Sequence, residues 1–426
     1  MHIGLLGCGT VGQAVVRALN EDGEAIARAS GHRLRVGPIL VRDRDRARPG
    51  IDPDQLTDDP ERVIDDPDVS VVVEVMGGVE TPFELLSRAL ARGVSVVTAN
   101  KQLIARHGPE LLELAEASGA ELRFEASVCA AIPVIKVLRE SLLAAQITAV
   151  TGIVNGTTNF ILTEMTRSGL DYDEALRQAQ DLGYAEADPT DDVGGADAAA
   201  KMAILSSIAF HSRVGIDDVP FEGIDRLRSE DIRQAEALGF VVKLLGVASL
   251  QERGISVRVH PTLVSRAHRL AAISGPDNAV LINSRTTGEL MLVGPGAGGD
   301  ATASAVIADI LSILGTHKGS FLHNALADSG RPVLPPEDVH SAFYVRMSVA
   351  DRPGVLARVA SIFSAQGLSI RTVVQRGTGD GAHLVLILHR GPERQMRVAL
   401  EAIGALEDVH GEPVMLRVLG SGEGEL

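Results

Sequence analysis

Between Gly183 and Lys201 the chain reads GYAEADPTDDVGGADAAAK, in which the carboxylates Glu186, Asp188, Asp191, Asp192 and Asp197 all precede the first base, Lys201. Carboxylates at this density repel one another unless a cation shares the space. A metal ion, a substrate ammonium and Lys201 itself are the cations to weigh. The acids lack the regular ligand pattern and turn glycine of an EF-hand loop, which argues against a divalent metal. Asp197 stands four residues before Lys201, on the same face if the segment is helical. An acid so placed holds the lysine and favours its charged form. Asp188 and Asp191 flank a D-P-T turn signal and are read as shaping and solvating that turn.

A second lysine, Lys101, closes the run TANK directly after an apolar strand-like segment. It therefore falls at the carboxyl end of a sheet, where ligands of α/β proteins bind. The third chemical feature is GLLGCGTVG near the N-terminus, with Gly7, Gly9 and Gly12 in G-x-G-x-x-G spacing and Thr10 and Val11 inside the loop. It follows a strand and opens a helix, the context of a dinucleotide site. Gly7 permits the tight turn, Gly9 lets the backbone approach a pyrophosphate, and Gly12 lets the helix pack closely. Free N–H groups at the helix start attract the phosphates. After the second strand come Arg42, Asp43, Arg44 and Arg46. A guanidinium suits a 2′-phosphate, so NADP(H) is favoured with Arg42 as its reader, and Asp43 leaves NAD(H) open. NGTTN at Asn155–Asn159 offers Thr157 or Thr158 as a helix cap.

The elements that would position these residues follow from hydrophobic patterning. HIGLLG, LRVGPILV, VSVVVEVMG and GVSVVTANK are apolar and β-branched almost throughout, as strands buried on both faces are. PFELLSRALARG and GPELLELAEASGA lie between or after them with helical periodicity and end at glycine. An acidic, proline-bearing run from Asp52 to Asp68 reads as a solvated loop. From about Pro133 helical stretches mix with alternating strands, an α+β pattern. Ala325–Val339 is rich in proline and polar residues and reads as a linker. The remainder reads strand (343–349), helix (354–366), strand (369–376), strand (382–389), helix (393–406), strand (414–418). That βαββαβ order fits a ferredoxin-like sandwich.

The chain has 426 residues, 45% hydrophobic, enough for two or three cores. A net charge of −16 argues against nucleic acid. No apolar run approaches the roughly 20 residues of a membrane helix, so no membrane partner is expected. Cys8 and Cys129 are too few for a disulfide framework and read as reduced thiols of a cytoplasmic protein. The N-terminus enters a strand-like run directly and does not read as a signal peptide.

Five motifs in the family's order, EVMGG (Glu74–Gly78), TANK (Thr98–Lys101), FEASVCAAIPVIKVLRESL, GIVNGTTNFILTEM and the Gly183–Lys201 stretch, resemble homoserine dehydrogenases, and the similarity runs from the first strand to about residue 320. DRPGVLARVASIFSAQGLSI resembles an ACT domain, an amino-acid-sensing module that bacterial members often carry. The resemblance implies NAD(P)H-dependent interconversion of L-aspartate 4-semialdehyde and L-homoserine. It implies a Rossmann-type domain over residues 1–132, completed by a helix at about 299–320, and an α+β substrate-binding and dimerisation domain over 133–298. A linker over 321–340 and an ACT domain over 341–426 follow. By the same resemblance Lys201 is the first candidate for proton transfer and Lys101 the second. Glu186 and Asp197 would bind the substrate ammonium, supported by Asp192. Gly77, Thr98, Lys101, Gly183 and Gly298 would join the cofactor site. The backbone around Glu125, Val128, Ala130 and Ile132 would wrap a monovalent cation, usually sodium in the family. Cys129-Ala130-Ala131 replaces the family's glycine-rich triplet there, narrowing the allowed dihedrals. A homodimer or homotetramer and threonine feedback are implied as well. Two other readings are a catalytically silent NADP-binding amino-acid sensor and a dehydrogenase of another small amino-acid aldehyde.

Overall fold

The structure is a computed structural model describing residues 1–315, 334–377 and 382–419. It divides into two compact units, Met1–Ala327 and Asp328–Leu426.

The first unit holds two sheets. Strands β1 (His2–Leu6), β2 (Arg35–Leu40), β3 (Leu56–Thr57), β4 (Val69–Glu74), β5 (Ser95–Thr98) and β6 (Leu122–Arg123) form a parallel sheet in the order β3-β2-β1-β4-β5-β6. β1 and β4 are apolar because helices cover both faces. The helix Gly299–Leu314 packs against the helix Thr10–Glu21, with Arg17 paired to Asp300. Gly315, with a positive φ of 68°, ends it; residues 316–320 of its expected span lie outside the described residues.

Strands β7 (Ile147–Ile153), β8 (Phe240–Gln251), β9 (Gly254–Ser265), β10 (Asp277–Ser284) and β11 (Gly288–Pro295) form a second, antiparallel sheet in the order β11-β10-β7-β8-β9. The helices Gly156–Ser168 and Ala196–Ala209 pack on this sheet. The second helix is buried nearly all round, which is why it shows almost no amphipathic stripe.

The second unit is a four-stranded antiparallel sheet, β13-β14-β12-β15, from β12 (His340–Val349), β13 (Ile370–Arg376), β14 (Ala382–Pro392) and β15 (Val409–Val418). With the helices Val355–Ala365 and Glu393–Gly404 it encloses a core centred on Phe343, Val359, Phe363 and Met396. This is the ferredoxin-like βαββαβ arrangement. Of the linker expected over 321–340, residues 321–333 lie outside the described residues.

Local differences from the sequence reading have physical causes. The Asp52–Asp68 run is only partly a solvated loop: Leu56 and Thr57 pair with β2, and Val63 and Ile64 are buried. The helix expected from Gly108 begins at Lys101, because Asn100 caps it by accepting from the Leu103 N–H, and Pro109 is carried inside. Neither Thr157 nor Thr158 caps the NGTTN helix; the Asn155 side chain does, accepting from the Thr158 N–H at 2.8 Å. Among the described residues no helix is long and apolar enough to cross a membrane.

Candidate active site

The glycine loop is built as its spacing requires. Gly7 has φ 102°, and a Cβ there would lie 2.9 Å from the Met76 Cα and the Val75 carbonyl oxygen. A Cβ on Gly12 would lie 2.5 Å from the Gly7 carbonyl oxygen, so the helix can approach β1 only with glycine there. A Cβ on Gly9, by contrast, would meet nothing within 4 Å. That open space before the free N–H groups of the Thr10–Glu21 helix fits a pyrophosphate.

Two clefts carry the expected residues. One, of about 920 Å³, is lined by Gly7, Gly9, Arg42 and Gly77. Arg42 is exposed there. Arg48 also lines it and was not singled out by sequence; its Nε donates to the Cys8 carbonyl at 3.3 Å and its Nη1 to the carbonyls of Asp43 and Arg46 at 2.9 Å. It therefore ties the basic loop to the glycine loop.

The second cleft, of about 760 Å³, brings together Lys101, Glu186, Asp192, Asp197 and Lys201, with Thr10, Val11, Gly183 and Gly298 on its walls. Gly183 (φ 77°) and Gly298 (φ 120°) both occupy backbone conformations that favour glycine, and neither has a neighbour where a Cβ would point. Thr98 and Gly12 are buried and line neither cleft.

At the floor of this cleft one carboxylate holds both lysines. Asp197 Oδ1 lies 2.6 Å from Lys101 Nζ, and Oδ2 lies 2.8 Å from Lys201 Nζ. Lys201 Nζ also donates to the Val154 carbonyl at 2.8 Å, leaving one of its three N–H donors for a ligand. Asn155 Nδ2 bridges Asp197 Oδ2 at 2.9 Å and Asp192 Oδ1 at 2.7 Å. Burial pushes the Asp197 carboxyl up, but the Lys201 and Lys101 ammonium groups outweigh it and hold the group well below the usual carboxylate range. Burial works against the Lys201 charge, yet Asp197, with Cys129 and Asp192, raises its pKa above the ordinary lysine value. Asp192 is shifted up by burial and by the Asp197 charge.

The acidic stretch thus divides. Asp197, expected to help bind the substrate ammonium, is buried with one oxygen on each lysine. Glu186 and Asp192 are the carboxylates that face the cleft without a lysine on them. Asp188 shapes its turn, accepting from the Thr190 N–H and hydroxyl. Among the described residues no group of three or more His, Cys, Asp or Glu gathers as a metal site.

The loop expected to wrap a monovalent cation keeps glycine-like geometry without glycine: Cys129 has φ 57° and Ala130 φ 37°. The Glu125 carboxylate accepts from the Ile135 and Lys136 N–H groups at 2.8 and 2.7 Å. Its carbonyl accepts from Val128 N–H and that of Ile132 from Val134 N–H. Val128 and Ala130 are buried, and among the described residues no N–H donates to their carbonyls. Buried carbonyls without donors fit a bound cation or water.

Comparison with known proteins gives the family. A family model described as homoserine dehydrogenase matches residues 133–311, the homoserine dehydrogenase NAD-binding domain matches 7–125, and the ACT domain matches 343–408. The homoserine dehydrogenase of Corynebacterium glutamicum is 44% identical over 409 residues, covering 95% of this chain and 92% of that one. The crystal structure of a homoserine dehydrogenase from Thiobacillus denitrificans is similar with a TM-score of 0.70 and 41% identity, over 98% of this chain and 97% of that one. A hyperthermophilic archaeal homoserine dehydrogenase in complex with NADPH is similar with a TM-score of 0.61 and 29% identity, over 74% of this chain and 97% of that one. With a dinucleotide-binding glycine loop opening beside two lysines on a shared aspartate, the chain belongs to the homoserine dehydrogenase family and is an NAD(P)-dependent oxidoreductase acting on a small-molecule substrate.

Proposed function

We propose that this enzyme interconverts L-aspartate 4-semialdehyde and L-homoserine with Lys201 as the proton-transfer residue and Lys101 as its neighbour at the reacting carbon. The observation that carries this reading is the convergence of both ammonium groups on Asp197, at 2.6 and 2.8 Å. The nicotinamide, when bound, supplies or takes the hydride. In the reductive direction Lys201, held charged by Asp197, gives a proton to the carbonyl oxygen as it becomes the alcohol. In the oxidative direction neutral Lys201 takes the hydroxyl proton, and Asp197 stabilises the ammonium that forms. Glu186 and Asp192 bind the substrate ammonium, while Asp197 fixes the two lysines.

NADP(H) is the preferred cofactor in this reading, with Arg42 at the 2′-phosphate. The related archaeal enzyme in complex with NADPH supports it. A monovalent cation, Na+, binds the carbonyls of Val128 and Ala130, with Glu125 and Ile132 completing the loop. The sheet face turned away from the helices carries Val247, Met291 and exposed Val293, which suits a homodimer or homotetramer. Threonine is the effector we assign to the ACT domain, near Asp351–Gly354. The reading is tested by following nicotinamide reduction with homoserine, comparing NADP with NAD, sodium with a bulky organic cation, and threonine present with absent. Failure of homoserine to reduce either cofactor overturns it.

A further inference from the structure

β4 reads VSVVVE, and its last residue breaks the apolar run: Glu74 is fully buried. A carboxylate there is costly unless donors surround it, and they do. Oε1 accepts from the N–H groups of Met76 at 2.8 Å and Gly77 at 3.2 Å. Oε2 accepts from the Thr98 hydroxyl at 2.5 Å. That hydroxyl in turn accepts from the Asn100 N–H at 3.0 Å, and Asn100 Nδ2 donates to the Gly78 carbonyl at 2.7 Å. Asn100 is the cap from which the helix bearing Lys101 starts.

One carboxylate therefore holds two turns at the carboxyl end of the parallel sheet. The first, Met76–Gly78, is packed directly beneath Gly7 of the cofactor loop and has two consecutive left-handed glycines. The second, Thr98–Asn100, sets where Lys101 emerges, and Lys101 reaches Asp197. Burial raises the Glu74 pKa, against the hydrogen bonds from Thr98, Met76 and Gly77. A polar residue retained where the strand pattern calls for valine marks a place where function overrides packing.

We infer that Glu74 is a positioning residue that fixes the cofactor floor at Met76–Gly78 and the emergence of Lys101 relative to each other, through its two carboxylate oxygens. It is fully buried and lines neither cleft. The inference rests on the reading above for what Lys101 does, and its test separates the two.

Glu74→Leu fills the buried site with an apolar side chain and releases both turns. Glu74→Gln keeps an acceptor for Met76 and Gly77 but turns an amide N–H2 toward a hydroxyl that already accepts from Asn100. In the full chain Glu74→Leu should keep or raise Tm, yet raise the Kd for reduced cofactor and lower kcat by about tenfold or more, the scale expected for small misplacements. Glu74→Gln should leave cofactor Kd within about twofold of wild type while kcat falls by roughly fivefold to tenfold. That split between binding and turnover is not expected from a merely structural role. The inference is overturned if Glu74→Leu retains cofactor Kd and kcat, or if both variants lose activity only in proportion to lost folded protein. Inactivity of the wild type with homoserine would instead count against the functional reading; the cofactor titration of Glu74→Leu, done without substrate, then still decides whether Glu74 holds the cofactor floor.

Discussion

Asp197 and Lys201 lie one helical turn apart, and Oδ2 of the first is 2.8 Å from Nζ of the second with both side chains buried. The aspartate's other oxygen holds Lys101. Its charge is what keeps Lys201 protonated against the pull of burial. Asp197→Asn removes that charge and leaves burial in control, so the Lys201 pKa falls below its wild-type position. In the proposed mechanism homoserine oxidation uses the neutral lysine, so its rise with pH should begin at lower pH in the variant. In the wild type the rate should still be climbing at about pH 10, near the ordinary lysine value. Turnover of the variant should drop by about 10² because both lysines lose their anchor. The pH–rate profile of kcat checks the direction.

In the proposed reading the basic loop makes two separate contributions to cofactor binding. Arg48 bonds the glycine-loop carbonyl of Cys8, so Arg48→Ala should raise the KM for NADP and NAD alike. Arg42 is free of such a tie and faces the same cleft. Its replacement by Ala should raise the KM for NADP alone, by roughly tenfold to a hundredfold, the value of one charge-assisted hydrogen bond. Parallel steady-state kinetics with the two cofactors distinguish the roles.

Cys129 and Ala130 stand in left-handed backbone where an L-residue is strained. Ala130→Gly should stabilise the protein by about 1 kcal/mol, the relief of strain exceeding the entropy cost of glycine. Chemical denaturation measures it, and an unchanged midpoint would count against a strained loop.

Lys243 is buried in the middle domain, donating to Asn159 Oδ1 at 2.8 Å and to the Ile273 carbonyl, and burial lowers its pKa to about 8. Between that value and the unfolded value of about 10.4 the unfolded chain binds more protons than the folded one. This group therefore makes stability rise with pH across that window, by up to about 1.4 kcal/mol per pH unit. Lys243→Met should flatten the slope of unfolding free energy between pH 8 and 10 relative to wild type.

Much of this could be read from the sequence because it is local. The glycine loop announces itself by spacing, and Asp197–Lys201 by the i,i+4 rule on one helix. The contact of Lys101 with Asp197 joins a Rossmann strand end to a helix ninety-six positions on, and no local pattern encodes it. The same holds for Asn155, whose amide bridges Asp192 and Asp197 across the fold. Glu74 did leave a signal: a carboxylate ending a run of valines in a doubly covered strand. Arg48 left none that set it apart from the other arginines of its loop. The threonines of NGTTN read as caps because hydroxyls cap well, but Asn155, one residue before the helix, caps at least as well and has the right backbone.

The proposed chemistry stands or falls on Lys201 moving the proton. The direct measurement is kcat for homoserine oxidation by Lys201→Ala, alongside a titration of reduced cofactor in the absence of substrate. A loss of roughly 10² to 10⁴ in kcat is expected, the usual worth of a positioned acid or base, with cofactor affinity unchanged. Turnover within about tenfold of wild type, with the cofactor still bound, would contradict the assignment of Lys201.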